Sequence, residues 1–238
     1  MKHPSDVADV LTLMKRDPGR PRVTWYGYDE RIELSGAVLA NWVAKVTNLL
    51  VEEFDAGPGV RIELDLPAHW RTVVWALGVW RTGACVGANG ARVVVTDRPR
   101  THPRATQLVA VALPALARSF DGELPAVAVD GASAVMTYGD AIGWAPEVRP
   151  GQPAVEFGGV TVSHAGLVPW AIAGCAVPDG ARVLVPDSAP TGLLRAVLGV
   201  LARDGSVVVL GSAVAAELAA DPVRRDRLMA SERVTAGA

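Results

Sequence analysis

The sequence has few of the residues that several classes of protein require. Only two cysteines occur, Cys85 and Cys175, which argues against a disulfide framework and against a multi-cysteine metal site. No apolar stretch long enough to span a bilayer runs without charge or proline. No hydrophobic run follows the N-terminal positive residues, so a signal peptide is not indicated. We therefore expect a cytoplasmic protein without a membrane span.

The sequence also lacks an excess of basic over acidic residues. The formal net charge is -2 and the isoelectric point is near 6.1, which argues against nucleic acid as a main partner. Arginine is frequent, but no lysine follows Lys45. Half of the residues are hydrophobic, so the chain has enough apolar material for a packed core and does not resemble a disordered protein.

Apolar spacing predicts strands and helices that alternate. The clearest helix begins at Ser35 and ends before the Gly-Pro-Gly at residues 57–59. Further helices are predicted at 5–16, with Ser5 as N-cap, and at 69–81, 164–176, 191–202, 213–219 and 222–229. Strands are predicted at 23–26, 31–34, 62–66, 92–96, 107–112, 159–162, 182–185 and 206–210. Val- and Leu-rich strands between helices are typical of an α/β fold with largely parallel sheets covered by helices.

The middle of the chain, residues 114–153, shows no clear pattern beyond an amphipathic piece at 114–120. This stretch is the best place for a boundary between two lobes. We therefore expect an N-terminal lobe at residues 1–150 and a second α/β lobe at residues 151–238.

Residues at the joints between these elements resemble the N-terminal part of an adenylate-forming enzyme. This superfamily includes acyl-CoA synthetases, luciferases and peptide-synthetase adenylation domains. The joints are Leu34-Ser35-Gly36, Pro58-Gly59-Val60-Arg61-Ile62, Leu66-Pro67 and Gly83-Ala84. More narrowly, the chain resembles short actinobacterial AMP-binding-like proteins of unknown function. The resemblance implies the N-terminal lobes of the adenylate-forming fold, truncated before the C-terminal subdomain.

The phosphate loop of that superfamily has no intact counterpart. Gly159-Val160-Thr161-Val162-Ser163-His164 resembles the segment that follows the loop, and this alignment puts Gly158 at the position of the family's lysine. Two prolines in the preceding residues, Pro150 and Pro153, lack backbone donors, and Glu156 would repel a triphosphate. The resemblance therefore implies a fold that has lost the adenylation reaction.

The site positions are consequently few. Residues of the altered loop are the candidate cofactor-binding positions: Gln152, Gly158, Gly159, Ser163 and His164. We assign no catalytic residue and no metal ligand, and Ser163 is predicted to cap the helix that follows it. ATP, AMP or CoA would be the ligands if the retained frame binds one, but no cofactor is assigned.

Two functions of different class remain. The preferred hypothesis is a degenerate acyl-CoA-synthetase-like protein, without adenylation activity, that binds a protein partner, a ligand or a second copy of itself. The alternative is a residual nucleotide-dependent ligase or an enzyme that binds an acyl or CoA ligand. Seven tryptophans favour the first, because exposed tryptophan is common at interfaces.

Overall fold

Strands and helices alternate along most of the chain. The computed structural model describes residues 3–186 and 189–237. Within this part the helices are α1 (Val7–Met14), α2 (Gly36–Phe54), α3 (Trp70–Arg81), α4 (Gly131–Ala134), α5 (His164–Ala173), α6 (Pro190–Ala202), α7 (Ser212–Ala220) and α8 (Pro222–Ser231). The strands are β1 (Pro21–Tyr26), β2 (Arg31–Ser35), β3 (Arg61–Asp65), β4 (Cys85–Gly87), β5 (Val93–Thr96), β6 (Leu108–Ala110), β7 (Ala128–Asp130), β8 (Pro153–Phe157), β9 (Val160–Ser163), β10 (Arg182–Val185), β11 (Ser206–Leu210) and β12 (Ala236–Gly237). The predicted α/β class is confirmed.

The residues divide into two compact units, each containing one sheet. The first unit comprises Met1–Ala40, Pro67–Val73 and Val168–Ala238, and the second comprises Asn41–Leu66 and Val74–Leu167. Each unit therefore draws on stretches that are separated in the sequence. The lobe boundary between residues 150 and 151 stays a prediction, because these units reflect packing and not a single division of the chain.

The first unit contains a five-stranded sheet in the order β12-β10-β11-β1-β2. Its neighbouring strands are parallel except for β2, which runs antiparallel to β1. Strand β11 is buried at every position, as a parallel strand covered on both faces must be. This explains why its sequence, Ser-Val-Val-Val-Leu, is a continuous run and does not alternate with polar residues.

The second unit contains a seven-stranded sheet in the order β7-β6-β5-β3-β4-β8-β9. All neighbours are parallel except β8 and β9, which form an antiparallel pair at one edge. Strands β3 and β5 are adjacent, and the chain leaves them in opposite directions, toward β4 and toward β6. Their carboxyl ends therefore form a topological switch point, which is the usual place for ligands in α/β sheets.

Several local predictions need correction. The N-cap of α1 is Asp6 and not Ser5, because Asp6 Oδ1 accepts the Asp9 backbone N–H at 2.8 Å. The amphipathic piece at 114–120, which was not assigned to an element, forms turns and bends. Strands β4, β7, β8 and β12 were not predicted. In contrast, β10 and β11 have the predicted bounds.

Within residues 3–186 and 189–237, every helix is too short or too polar to cross a membrane.

Glu232, which follows α8, holds the end of the described chain against the first unit's sheet. Its carboxylate accepts hydrogen bonds from the Tyr26 hydroxyl at 2.5 Å and from Arg31 Nε at 2.8 Å, and it forms an ion pair with Arg182. Glu232 is only 8% exposed. Burial alone would raise the pKa of Glu232, but the hydrogen bonds from Arg31, Tyr26 and Arg182 outweigh burial and lower the pKa to about 2.

Replacing Glu232→Gln should reduce the free energy of unfolding by about 3 kcal/mol, because two arginine side chains lose their shared counter-charge. The folded-state pKa lies below the ordinary value of 4.5, so the stabilisation is complete above that pH and disappears as the pH falls toward about 2. Urea denaturation of both proteins between about pH 7 and pH 3 measures this.

The matched control is Glu217→Gln, because Glu217 pairs with an Arg224 side chain that is 60% exposed and should contribute less than about 1 kcal/mol. A difference between wild type and Glu232→Gln that stays constant from about pH 5 to pH 3 would contradict the assignment.

Candidate functional site

The altered phosphate-loop segment is a β-hairpin in the second unit. Phe157 of β8 pairs with Val160 of β9, so only Gly158 and Gly159 connect the two strands. Both glycines have positive φ, 54° and 85°, as a two-residue type I′ turn requires. A Cβ at either glycine would meet no atom within 4 Å. The backbone conformation of the turn, and not close packing, therefore explains why glycine occupies both positions.

The altered phosphate loop was expected to precede Gly159, but most of the residues from 150 to 158 do not form a loop. Five of its residues, Pro153–Phe157, form strand β8. Pro153, which lacks an N–H, is at the first position of the strand, next to a register irregularity between Pro153 and Val155. Proline is tolerated at such a position because no ladder donor is needed there.

Three of the five candidate site residues come together at the open end of the hairpin. The Gln152 carbonyl accepts the His164 backbone N–H at 2.9 Å. Ser163 Oγ accepts the Gly166 backbone N–H at 3.2 Å, so the predicted helix-capping role of Ser163 is confirmed. Gly158 and Gly159 lie at the other end, about 13 Å away along β9 at 3.3 Å per residue. The hairpin therefore separates the candidate positions into two groups.

His164 is a buried structural residue at the start of α5. It is 5% exposed, and its Nε2 lies 3.0 Å from the Gly83 carbonyl oxygen. Because a carbonyl only accepts, Nε2 carries the proton and donates it. Burial lowers the pKa of His164, against the opposing effect of backbone hydrogen bonds to Gly83 and Ala84. Near neutral pH this imidazole is uncharged and offers no cation to a phosphate.

The negative charge of Glu156 is neutralised within the protein. Arg61 binds the Glu156 carboxylate with two hydrogen bonds, Nε to Oε2 at 2.5 Å and Nη2 to Oε1 at 3.1 Å. The hydrogen bond from Arg61 lowers the pKa of Glu156. Strand β4 lies between β3, which carries Arg61, and β8, which carries Glu156. A Cβ at Gly87 of β4 would be 3.2 Å from the Glu156 Cβ. The expected repulsion by Glu156 is therefore reduced, but the pairing also occupies Arg61.

Lys45, the last lysine of the sequence, has a structural role in the second unit. Its Nζ donates to the Tyr138 carbonyl at 2.6 Å and lies 2.9 Å from Asp140 Oδ1. Asn48, one turn further along α2, donates to the Ala141 carbonyl at 2.9 Å. These contacts fasten the segment after α4 to α2. They explain why this region, which showed no pattern in the sequence, has a defined path.

A polar cluster that the sequence reasoning missed lies at the switch point of the second sheet. Asp65 and Thr96, the last residues of β3 and β5, are register partners. The Asp65 carboxylate accepts from Thr96 Oγ1 at 3.0 Å and from Arg98 Nη2 at 2.7 Å, and it lies 2.9 Å from His102 Nε2. Burial would raise the pKa of Asp65, but these hydrogen bonds lower it.

Two side chains of the segment that follows β5, Arg98 and His102, bind Asp65 and are not simply solvated. A signal was available, because Thr96 ends a predicted strand and Asp65 is the last residue but one of another. Within the described part of the chain no three His, Cys, Asp or Glu side chains are grouped as a metal site would require.

The fold matches that of a solved adenylate-forming enzyme. The crystal structure of Brucella canis acyl-CoA synthetase superposes with a TM-score of 0.67 at 20% identity, covering 86% of this chain and 43% of that chain. The protein therefore has the acyl-CoA-synthetase-like α/β fold that the joint residues implied. It spans less than half of the length of that synthetase, and at this identity the likeness concerns the fold alone.

Sequence similarity gives the family. The chain is 31% identical over 236 residues to a TIGR03089 family protein of Mycobacterium tuberculosis, covering 94% of this chain and 93% of that protein. The chain belongs to the TIGR03089 family. The expected relationship to an actinobacterial protein is confirmed. A scan against protein-family models gives no match.

Replacing Gly159→Ala should lower the free energy of unfolding by about 1 kcal/mol, because an L-residue is strained at φ 85° even where space is free. Gly151→Ala is the matched control, since its Cβ also meets no atom within 4 Å and its φ is not in the left-handed region. That variant should stay within about 0.5 kcal/mol of wild type. Equal destabilisation of the two variants in urea denaturation would show that the turn conformation is not what selects glycine.

Proposed function

We propose that this protein is a degenerate acyl-CoA-synthetase-like protein that does not adenylate a substrate and acts by binding, with a partner protein as the first candidate ligand. The observation that carries the proposal is the two-residue turn at Gly158-Gly159. A phosphate loop binds through several backbone N–H groups that point at one anion. In a hairpin the N–H groups alternate between the partner strand and the outside, so they do not converge.

The charges around the hairpin support the same conclusion. The position of the family's lysine is Gly158, and the nearby Arg61 is engaged by Glu156. Lys45 is engaged by Asp140 and the Tyr138 carbonyl. A triphosphate that used Arg61 or Lys45 would have to break the existing pair. Loss of that pair offsets part of what the new phosphate contact contributes.

Exposed aromatic and aliphatic side chains support a protein partner. Trp75 and Trp80 of α3 are buried, whereas Trp144 is 68% exposed. Leu116 and Met136, in the same unit, are also exposed. A large exposed tryptophan is unfavourable in water and is among the residues that contribute most to interfaces. A second copy of the chain is the other partner that could cover Trp144.

The loss of adenylation is tested directly. We expect no ATP–pyrophosphate exchange above the enzyme-free background with a panel of fatty, aromatic and amino-acid carboxylates. An active acyl-CoA synthetase assayed in parallel is the control. Exchange above the background would favour the alternative of a residual ligase.

The binding role is tested at Trp144. Wild-type protein should elute from size exclusion with light scattering as a complex, with itself or with a protein captured from its native extract. Trp144→Ser should weaken that complex at least tenfold while changing the free energy of unfolding by less than about 0.5 kcal/mol. Val223→Ser, at a residue that is 61% exposed on α8, is the control and should leave the complex intact. A wild-type protein that is strictly monomeric and retains no partner contradicts the proposal.

A further inference from the structure

A pocket of about 340 Å³ in the first unit has an unusual number of arginines in its wall. This volume is within the range of roughly 300–1,000 Å³ typical of small-molecule sites. The charged residues that line it are Arg20, Arg31, Glu33, Arg182, Glu232 and Arg233. The lining therefore has an excess of two positive charges, although the whole chain has a net charge of -2.

The carboxylates in the wall hold two of the arginines in place. Glu232 binds both Arg31 and Arg182, and Glu33 Oε2 lies 2.6 Å from Arg31 Nη2. These four groups neutralise one another and form a rigid base for the pocket. Rigid donors bind an incoming ligand with less loss of side-chain entropy.

The excess charge comes from Arg20 and Arg233. Asp204 lies 3.6 Å from Arg20 Nη1, but it also lies 2.7 Å from Arg22 Nη1, so Arg20 shares that counter-charge. For Arg233 no carboxylate lies within 4 Å of the guanidinium among the described residues. Arg20 Nη2 also donates to the Gly180 carbonyl at 2.9 Å. Arg233 therefore has the larger share of donors left for an anion, and Arg20 can add those that Asp204 and Gly180 do not use.

The backbone conformation at Arg233 does not favour arginine, so the fold alone does not explain this residue. The Val234 N–H donates to the Met229 carbonyl at 2.9 Å and the Arg233 N–H donates to the Ala230 carbonyl at 3.1 Å. These two bonds are the Schellman motif that ends α8, with Arg233 at the left-handed position, φ 52°. Glycine is the residue that this position favours. Arg233, one of the residues that line the pocket, therefore occupies this position at a conformational cost.

We propose that this pocket binds a small phosphate-bearing metabolite, with Arg20 and Arg233 as the ligand-binding residues above the Glu232 network. Arginine forks match phosphate oxygens in pairs. A phosphate group carries about -1.5 to -2 charge at neutral pH, which matches the excess of two, whereas a single carboxylate does not. The pocket lies at the amino ends of β1, β10 and β11, since its wall includes their first residues, Pro21, Arg182 and Ser206. It is therefore distinct from the β8–β9 hairpin of the other unit.

The test separates binding from folding with Arg233→Gly. Glycine relieves the left-handed backbone, so this variant should be at least as stable as wild type without ligand. Sodium phosphate, pyrophosphate and ribose 5-phosphate should raise the melting temperature of wild type above that in chloride at equal ionic strength. Titration calorimetry should show at least tenfold weaker binding to Arg233→Gly. Arg227→Ala, an exposed arginine of α8 outside the pocket, is the control and should bind as wild type does.

Each outcome decides the proposal. Binding of inorganic phosphate as tight as that of ribose 5-phosphate supports a site for the free ion, and tighter binding of the sugar phosphate supports a phosphate monoester. Three outcomes overturn the assignment: no anion effect beyond that of chloride, an equal effect of acetate, or unchanged phosphate binding by Arg233→Gly.

Discussion

Pairing between parallel strands is the constraint on which the rest of this structure depends. Both sheets are mainly parallel, so their faces are covered by helices and their strands must be apolar. A charged side chain can enter these layers only with a partner. Arg22 on β1, which is 1% exposed, accordingly pairs with Asp204, and Arg182 on β10 pairs with Glu232. These two buried ion pairs are therefore a consequence of the sheets.

The same constraint explains how a ligand loop can become part of the scaffold. Strand β8 adds to the parallel sheet beside β4, and β9 closes the edge by pairing back on β8. Backbone groups that could have faced an anion then belong to a ladder, and Arg61 and Glu156 cancel each other's charge. Under the proposed function, the protein keeps the framework of an acyl-CoA synthetase while the donors and charges of that one segment are used internally.

The sequence predicts the elements whose hydrophobic pattern is long and uninterrupted. Strands β10 and β11 were predicted residue for residue, because continuous Val and Leu runs are unambiguous between turns. Strands β4, β7 and β12 contain only two or three residues, too few to show a period. Strand β8 was missed for another reason: Pro153, a second proline shortly before it and the resemblance to a phosphate loop all favoured a loop.

Only the features of the candidate site that depend on neighbouring residues in the sequence could be predicted. Ser163 precedes a helix by one residue, so its capping role follows from the sequence. The Arg61–Glu156 pair joins residues 95 positions apart, and no spacing rule reveals it without the strand order. The charge excess around Arg233 depends likewise on which strands begin beside the end of α8. Sequence reasoning identified the altered segment but could not identify the partners of its charges.

The turn at Gly158-Gly159 also limits how this segment can change in evolution or by design. Side chains alternate between the two faces of a strand, so a one-residue insertion or deletion within β8 or β9 would turn every later side chain of that strand to the opposite face. Val162, which is buried, would then exchange places with exposed neighbours. Extra residues between Phe157 and Val160 would leave this pairing intact, and the entropic cost of a longer connection rises only slowly with its length. The hairpin tip is therefore the point where a new loop can be inserted without disturbing the sheet.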